Sequence, residues 1–354
     1  MSRFMSDKFA ALTPYTPGEQ PRERKYVKLN TNESPFPPSP IAQRLARQAA
    51  GDLQLYSDPT CRDLVAAAAE FYGVETDELL FFNGSDDAIG FAFNAFCDDQ
   101  TPALFPNITY SFYPVAADFN RVPYETKPLN ADFTLNVADY CGAGKTIFLA
   151  NPNAPTGIAL SLSEIEQIVS SNPDNVVVVD EAYVDFGAES AVCLTKQYDN
   201  LLVCQTLSKS RSLAGGRLGV AIGNKALIAD LNTLKYSTNP YNVNRMTAAA
   251  GIGAFCDVEY FEKNCRAIME NRAWTEAQLK ALGFVMTDSK ANFLFAKHPQ
   301  MGGLDLYNAL REQGVLVRHF ETELLRDYNR ITVGSREEME TLVSALKTIL
   351  GVAK

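Results

Sequence analysis

Five apolar runs in this chain end on residues able to do chemistry. Residues 176–179 lead into Asp180, Glu181 and Tyr183, and residues 201–204 lead into Thr206, Ser208 and Lys209. Residues 146–150 deliver Asn151, Asn153 and a Pro155-Thr156-Gly157 turn; residues 79–82 deliver Gly84, Ser85 and Asp86; residues 103–105 lead to Tyr110. A lysine after a strand is usually a solvated surface group. Lys209 instead sits in a loop of small polar residues that runs on to Arg217, which suits an amine held beside an anion. An amine that forms a Schiff base needs a carbonyl cofactor with an electron sink, and pyridoxal 5'-phosphate supplies both. Asp180, after four valines, is where a rigid carboxylate able to keep the ring nitrogen protonated would stand. The phosphate calls for backbone N–H groups at a helix start, hydroxyls and a cation, for which Gly84, Ser85, Ser208 and Arg217 qualify. Tyr110 could lie on the ring face and Tyr183 could donate to the ring hydroxyl.

The elements that position these residues follow from the pattern. Short apolar runs at residues 79–82, 103–105, 146–150, 176–179, 201–204 and 218–222 alternate with helical stretches such as 63–72, 86–96 and 162–170. This predicts an α/β fold, a mostly parallel sheet covered on both faces, with ligands bound beyond the carboxyl ends of its strands. Ser161 and Glu164 have capping-box spacing, as do Ser335 and Glu338 near the end. From residue 259 to 282 one long helical pattern runs to Gly283; strand candidates follow at 292–296 and 315–317, and an amphipathic helix closes the chain. We expect an N-terminal arm with part of a small domain over residues 1–40, a large domain over 41–255 and a small α+β domain over 256–354. The prolines at 35, 37, 38 and 40 read as an extended linker.

The chain has 354 residues, 46% hydrophobic and 21% charged, with a net charge of −10. That balance disfavours nucleic acid as a partner, because binding a phosphate backbone takes clustered cations. Nowhere do about 18 apolar residues run together, so no membrane span is expected. Seven scattered cysteines read as reduced thiols of a cytoplasmic protein, and with only His298 and His319 no metal site is expected. Gly144-Lys145-Thr146 looks like the end of a phosphate-binding P-loop, but the glycine such a loop needs five residues before Gly144 is Asp139. A non-catalytic binding protein is disfavoured by the joint presence of Lys209, Asp180, Tyr183 and Arg217.

The stretch Ser208-Lys-x-x-x-Leu-Ala-Gly-x-Arg217, with Asp180-Glu-Ala-Tyr183 upstream, resembles the fold-type I, class II pyridoxal-phosphate aminotransferases. More closely, the chain is similar to the histidinol-phosphate aminotransferases, through Lys28-Leu-Asn-Thr-Asn-Glu33, Tyr56-Ser-Asp-Pro59, Asn83-Gly-Ser-Asp86 and Arg330-Ile-Thr-Val-Gly-Ser-Arg-Glu-Glu338. The resemblance implies a seven-stranded large-domain sheet and a ping-pong transamination between histidinol phosphate and 2-oxoglutarate, giving imidazole-acetol phosphate and glutamate. It further implies that Lys209 forms the Schiff base, that Asp180 pairs with the pyridine nitrogen and that Tyr183 touches the ring oxygen. Tyr110 would stack on the ring, with Gly84, Ser85, Asp86, Thr206, Ser208 and Arg217 around the cofactor. Tyr56 would reach the cofactor of a neighbouring subunit, making the functional unit a homodimer. Arg330 would bind the substrate anion, with Arg318, Tyr15 and Asn32 as further substrate-side residues. Two relatives in mechanism share most of these motifs: threonine-phosphate decarboxylases and aromatic amino-acid aminotransferases. The chain departs from the usual pattern at Ala154, where an Asn normally meets the ring oxygen; Asn153 is the candidate to replace it. Arg211 and Gly216, at positions often apolar in relatives, have no account in the sequence.

Overall fold

A computed structural model describes residues 2–21 and 23–352. Its centre is a seven-stranded sheet in the order Leu79–Phe82, Gly219–Gly223, Leu201–Thr206, Val177–Asp180, Thr146–Ala150, Ala103–Pro106 and Tyr124–Lys127. Gly219–Gly223 runs antiparallel to both its neighbours, and every other pairing is parallel. The inner strands are buried along nearly their whole length and mostly apolar because helices cover both faces of the sheet. Two buried clusters result. One sets Leu149, Val179 and Val203 against Leu64 and Ile168; the other sets Phe148, Val178 and Leu202 against Phe93 and Tyr113.

Six of the seven strands lie where the hydrophobic runs place them. The seventh, Tyr124–Lys127, is an exposed edge strand whose alternation of Glu and Lys reads as polar loop; charged side chains there guard the sheet edge. The Pro-rich segment is not a linker as far as Pro40. That proline is the first residue of the helix Pro40–Ala49, and Ser39 caps it by accepting from the Ala42 N–H at 3.1 Å. Helices Phe112–Asn120, Lys225–Thr238 and Arg245–Cys256 also escaped the periodicity. In the last of these, small residues blur the amphipathic pattern for a packing reason: a Cβ on Gly253 would lie 2.5 Å from the Ala42 backbone.

A second, four-stranded antiparallel sheet has the order Arg318–His319, Asn329–Thr332, Phe293–Lys297 and Val285–Met286. The helices Val258–Ala281, Gly303–Glu312 and Arg336–Ile349 accompany it, and their apolar faces form a core with Leu294, Ile331 and Val317. The expected strand at 315–317 divides in two. Val315–Leu316 pairs in parallel with Val27–Lys28, so the N-terminal segment is stitched to this part of the molecule. Both capping boxes are formed.

Candidate active site

The parallel strands all point their carboxyl ends toward one cavity of about 840 Å³. Asp180 is the last residue of its strand and is buried. Its carboxylate accepts from the Tyr113 hydroxyl at 3.1 Å and from the Ala182 N–H at 3.2 Å. Burial pushes its pKa up to about 7, against the pull of the Tyr113 hydrogen bond. Past the end of the adjacent strand, the Lys209 amine donates to the Thr31 carbonyl at 3.3 Å and lies 5.8 Å from the centre of the Tyr183 ring. Burial lowers its pKa to about 8, and Arg330 adds to this while Asp86 and Glu33 oppose it. The Tyr183 hydroxyl accepts from Asn32 Nδ2 at 3.0 Å, and its ring meets Phe293 edge-on.

Gly84 turns the Leu79–Phe82 strand into the helix Ser85–Phe96 at φ +94°, a conformation that suits glycine. A Cβ here would also lie 2.5 Å from the Arg217 guanidinium. Among the described residues no side chain caps this helix start, which leaves its first backbone N–H groups available to a ligand beside Arg217. Arg217 Nη2 donates to Asp86 at 3.1 Å, and the other Asp86 oxygen accepts from the Tyr110 hydroxyl at 2.8 Å. Thr206 and Ser208 bond to each other through their hydroxyls at 2.9 Å. This corner joins a helix start, hydroxyls and a cation, the set an anion requires.

Across the cavity stands Arg330, whose Nη2 donates to the Asn30 carbonyl at 3.2 Å. Its Nε is buried without a hydrogen-bond partner among the described residues. The guanidinium lies 5.4 Å from the Phe293 ring centre and 5.9 Å from that of Phe320. Arg318 also lines the cavity, but it holds the arm through the carbonyls of Thr16 and Pro17 at 3.3 and 3.5 Å. Tyr15, on that arm, meets Tyr110 edge-on with centroids 6.3 Å apart.

The cavity thus collects Lys209, Asp180, Tyr183, Ser85, Asp86, Tyr110, Thr206, Ser208, Arg217, Arg330, Arg318, Tyr15 and Asn32 in its lining. Three expected residues are not in the lining: Gly84, which sits behind Arg217 at the helix start, and two that stand apart from the cavity. Asn153 does not fill the place left by Ala154: its Nδ2 donates to the Ile108 carbonyl and Thr156 Oγ1, and its Oδ1 accepts from Thr109. Its amide is therefore consumed in holding the loop. Tyr56 is exposed and stacks on Tyr241 at 4.6 Å, away from the cavity of its own chain. Ala154 itself packs with Ala291, Phe293 and Tyr183 in a small apolar cluster. Tyr113, which holds Asp180, was not among the expected residues; it stands three residues after Tyr110 where a helix opens, a position that does not name its partner. No His, Cys, Asp and Glu grouping suited to a metal occurs among the described residues.

The family model for aminotransferase class I and II matches residues 24–346. A histidinol-phosphate aminotransferase of Brachyspira hyodysenteriae is 48% identical over 355 residues, covering 99% of both chains. Among solved structures, a histidinol-phosphate aminotransferase of Sinorhizobium meliloti in complex with pyridoxal-5'-phosphate superposes with a TM-score of 0.88 at 21% identity, over 99% of this chain and 98% of that one. An L-threonine-O-3-phosphate decarboxylase of Porphyromonas gingivalis also shares the fold, with a TM-score of 0.80 at 21% identity over 92% and 99% of the two chains. The fold is thus common to transaminases and decarboxylases, and the near-complete match at 48% identity decides between them: the chain belongs to the class I and II aminotransferases, and among them to the histidinol-phosphate aminotransferases.

Proposed function

We propose that this protein transfers the amino group of histidinol phosphate to 2-oxoglutarate with pyridoxal phosphate, in histidine biosynthesis. The observation that carries this is the partly buried Lys209 amine in one cavity with the Asp180 carboxylate, an anion corner at Gly84 and Arg217, and a second cation, Arg330. These residues fit the cofactor. Asp180 is a buried carboxylate raised to about 7, which a ring N–H would relieve; the uncapped helix start beside Arg217 awaits an anion; and Arg330 keeps an unpartnered Nε for another. Pyridoxal phosphate, when bound, supplies a carbonyl for the Lys209 amine and a ring that draws off the charge developing at the substrate carbon.

The residues then divide the work. Lys209, largely desolvated and with a pKa near 8, has a ready supply of the neutral amine at physiological pH and, once released, moves a proton to and from the substrate carbon. Asp180 holds the proton on the ring nitrogen, and Tyr113 fixes the carboxylate so that it does not turn away. Ser85, Ser208, Thr206 and Arg217 hold the phosphate, with Asp86 locking Arg217 and Tyr110 in place. Arg330 binds the substrate's anionic end. Because a planar guanidinium suits both phosphate and carboxylate, one residue serves both half-reactions.

The homodimer belongs to the same reading. Leu53, Leu55, Tyr56 and Tyr241 are all more than 40% exposed, an apolar surface that a second copy would cover, with Tyr56 then reaching the neighbour's cofactor. The proposed organisation keeps the arm with the small domain, which the pairing of Val27–Lys28 with Val315–Leu316 supports, and ends the large domain near residue 255, where the helix Arg245–Cys256 stops. No described helix is long and apolar enough to cross a membrane; cytoplasmic residence rests on the free cysteines and the biosynthetic role. The test is spectroscopic. With bound cofactor, histidinol phosphate alone should convert the visible band to the amine form, and 2-oxoglutarate should restore it. A band that forms and never converts, with release of carbon dioxide from a phosphorylated amino acid, would place the chain with the decarboxylases instead.

A further inference from the structure

Asn32 is built into the site more firmly than a substrate contact requires. It is 1% exposed and adopts φ +55°, a left-handed conformation uncommon outside glycine. Its carbonyl accepts from Asn292 Nδ2 at 3.0 Å, and its N–H donates to Thr332 Oγ1 at 2.9 Å. With that lone pair engaged, the Thr332 hydroxyl donates in turn to Asn32 Oδ1 at 3.1 Å. The amide orientation is therefore set: Oδ1 faces Thr332, and Nδ2 is left to donate to the Tyr183 hydroxyl at 3.0 Å. The side chains of Ala154, Ala291 and Phe293, which pack with Tyr183, are apolar.

We propose that Asn32 is the positioning residue for Tyr183: by occupying a lone pair of its hydroxyl, Asn32 aims the Tyr183 proton at the cofactor's ring oxygen, a task that the residue at 154 has no polar atom to share. This rests on Lys209 and Tyr183 facing the cofactor as proposed above. It also ties the N-terminal segment and the Asn329–Thr332 strand, which hold Asn32, to the electronic state of the cofactor. A phenol so aimed stabilises negative charge on the ring oxygen. Without it, the Lys209 nitrogen conjugated to that oxygen becomes more basic.

The experiment is a pH titration of the visible band of the cofactor-loaded protein in the absence of substrate. Asn32→Gly tolerates the left-handed backbone and removes the amide; Asn32→Asp keeps the shape but replaces the donor by an acceptor, which turns the Tyr183 proton away. Both should move the midpoint upward, by about half a pH unit to one unit, with the Asp variant moving further. In a Tyr183→Phe background Asn32→Gly should add no shift, while Asn32→Asp should keep only the part its new carboxylate exerts through space. Unchanged midpoints in both variants would overturn the assignment, as would a Gly-variant shift that persists without the Tyr183 hydroxyl. A parent protein that forms no band with cofactor would instead overturn the reading of Lys209, and this inference with it. Thermal melting of the cofactor-free variants, expected within a few degrees of the parent, separates an altered hydroxyl from an altered fold.

Discussion

The two walls of the cavity are made differently. On the cofactor side, Asp180, Thr206 and Lys209 stand at or just beyond the ends of strands buried along their whole length, so the backbone that carries each belongs to the sheet or to the loop that leaves it. On the substrate side, Tyr15, Asn32, Arg318 and Arg330 come from the arm and the outer sheet. They are placed by contacts some 300 residues apart in the chain, such as Asn32 with Thr332 and Arg318 with Thr16. The first wall is part of the core and cannot move without disrupting it; the second is assembled across a seam, by hydrogen bonds and a two-residue strand pairing between segments far apart in the chain. Changes on the cofactor wall should therefore abolish chemistry, whereas changes on the substrate wall, apart from Asn32, which acts on the cofactor side through Tyr183, should alter which substrates are used and how well.

The largest effect is expected at Lys209. Lys209→Ala should lower turnover by about 10⁴-fold or more, because it removes both the covalent anchor and the proton carrier; single-turnover absorbance with histidinol phosphate would show it. In the intact protein, a pKa near 8 makes a second, graded statement. The neutral amine captures the carbonyl, so the rate of cofactor loading should rise about tenfold per pH unit below 8 and level off above it. An ordinary lysine would keep rising toward 10.5, and stopped-flow loading distinguishes the two. Asp180→Ala should cost about 10²- to 10³-fold in turnover while cofactor still binds weakly, since charge at the substrate carbon loses its sink. Near-parental turnover in that variant would remove the distinction between the walls.

This division also explains what could be read in the chain. Asp180, Lys209 and Ser85 were legible because an apolar run ending in a polar residue is a local signal with a structural meaning. Tyr113 was not, because its partner Asp180 is 67 residues away and nothing in a helix-opening tyrosine announces which carboxylate it will meet. Arg211 had no explanation in the sequence. In the fold its guanidinium lies 4.0 to 4.6 Å from the ring centres of Phe261, Phe71 and Phe255 and donates to the Ala254 carbonyl, so it anchors the Lys209 loop in an aromatic cage assembled from three helices. Asn153 shows the converse: its motif position drew attention to it, and hydrogen bonds to Ile108 and Thr109 on a neighbouring segment claimed it.

On the substrate wall, Arg330→Ala should lower kcat/KM by about 10- to 100-fold, the worth of a charge-assisted pair in a buried setting. The loss should fall on glutamate and histidinol phosphate alike, because one guanidinium meets both anions. Competition assays with the two substrates test this directly. A loss confined to one of them would mean that the phosphate and the carboxylate have separate sites.

The smallest effect is expected at Arg318, and it sharpens the comparison most finely. Its guanidinium is half-exposed and spends its donors on the Thr16 and Pro17 carbonyls, so its charge faces the cavity while its hydrogen bonds hold the arm. Arg318→Lys keeps the charge but loses the planar fork that reaches both carbonyls; Arg318→Gln keeps hydrogen bonding but loses the charge. If the residue acts on the substrate through its field, Gln should raise KM a few-fold, the rise should shrink with added salt, and Lys should behave as the parent does. If it acts by fastening Tyr15 over the cavity, Lys should be the worse of the two and salt should not matter. Because the arm is fixed to this sheet by carbonyl contacts that only the fork spans, the second pattern is the expected one, with kcat almost unchanged in both variants.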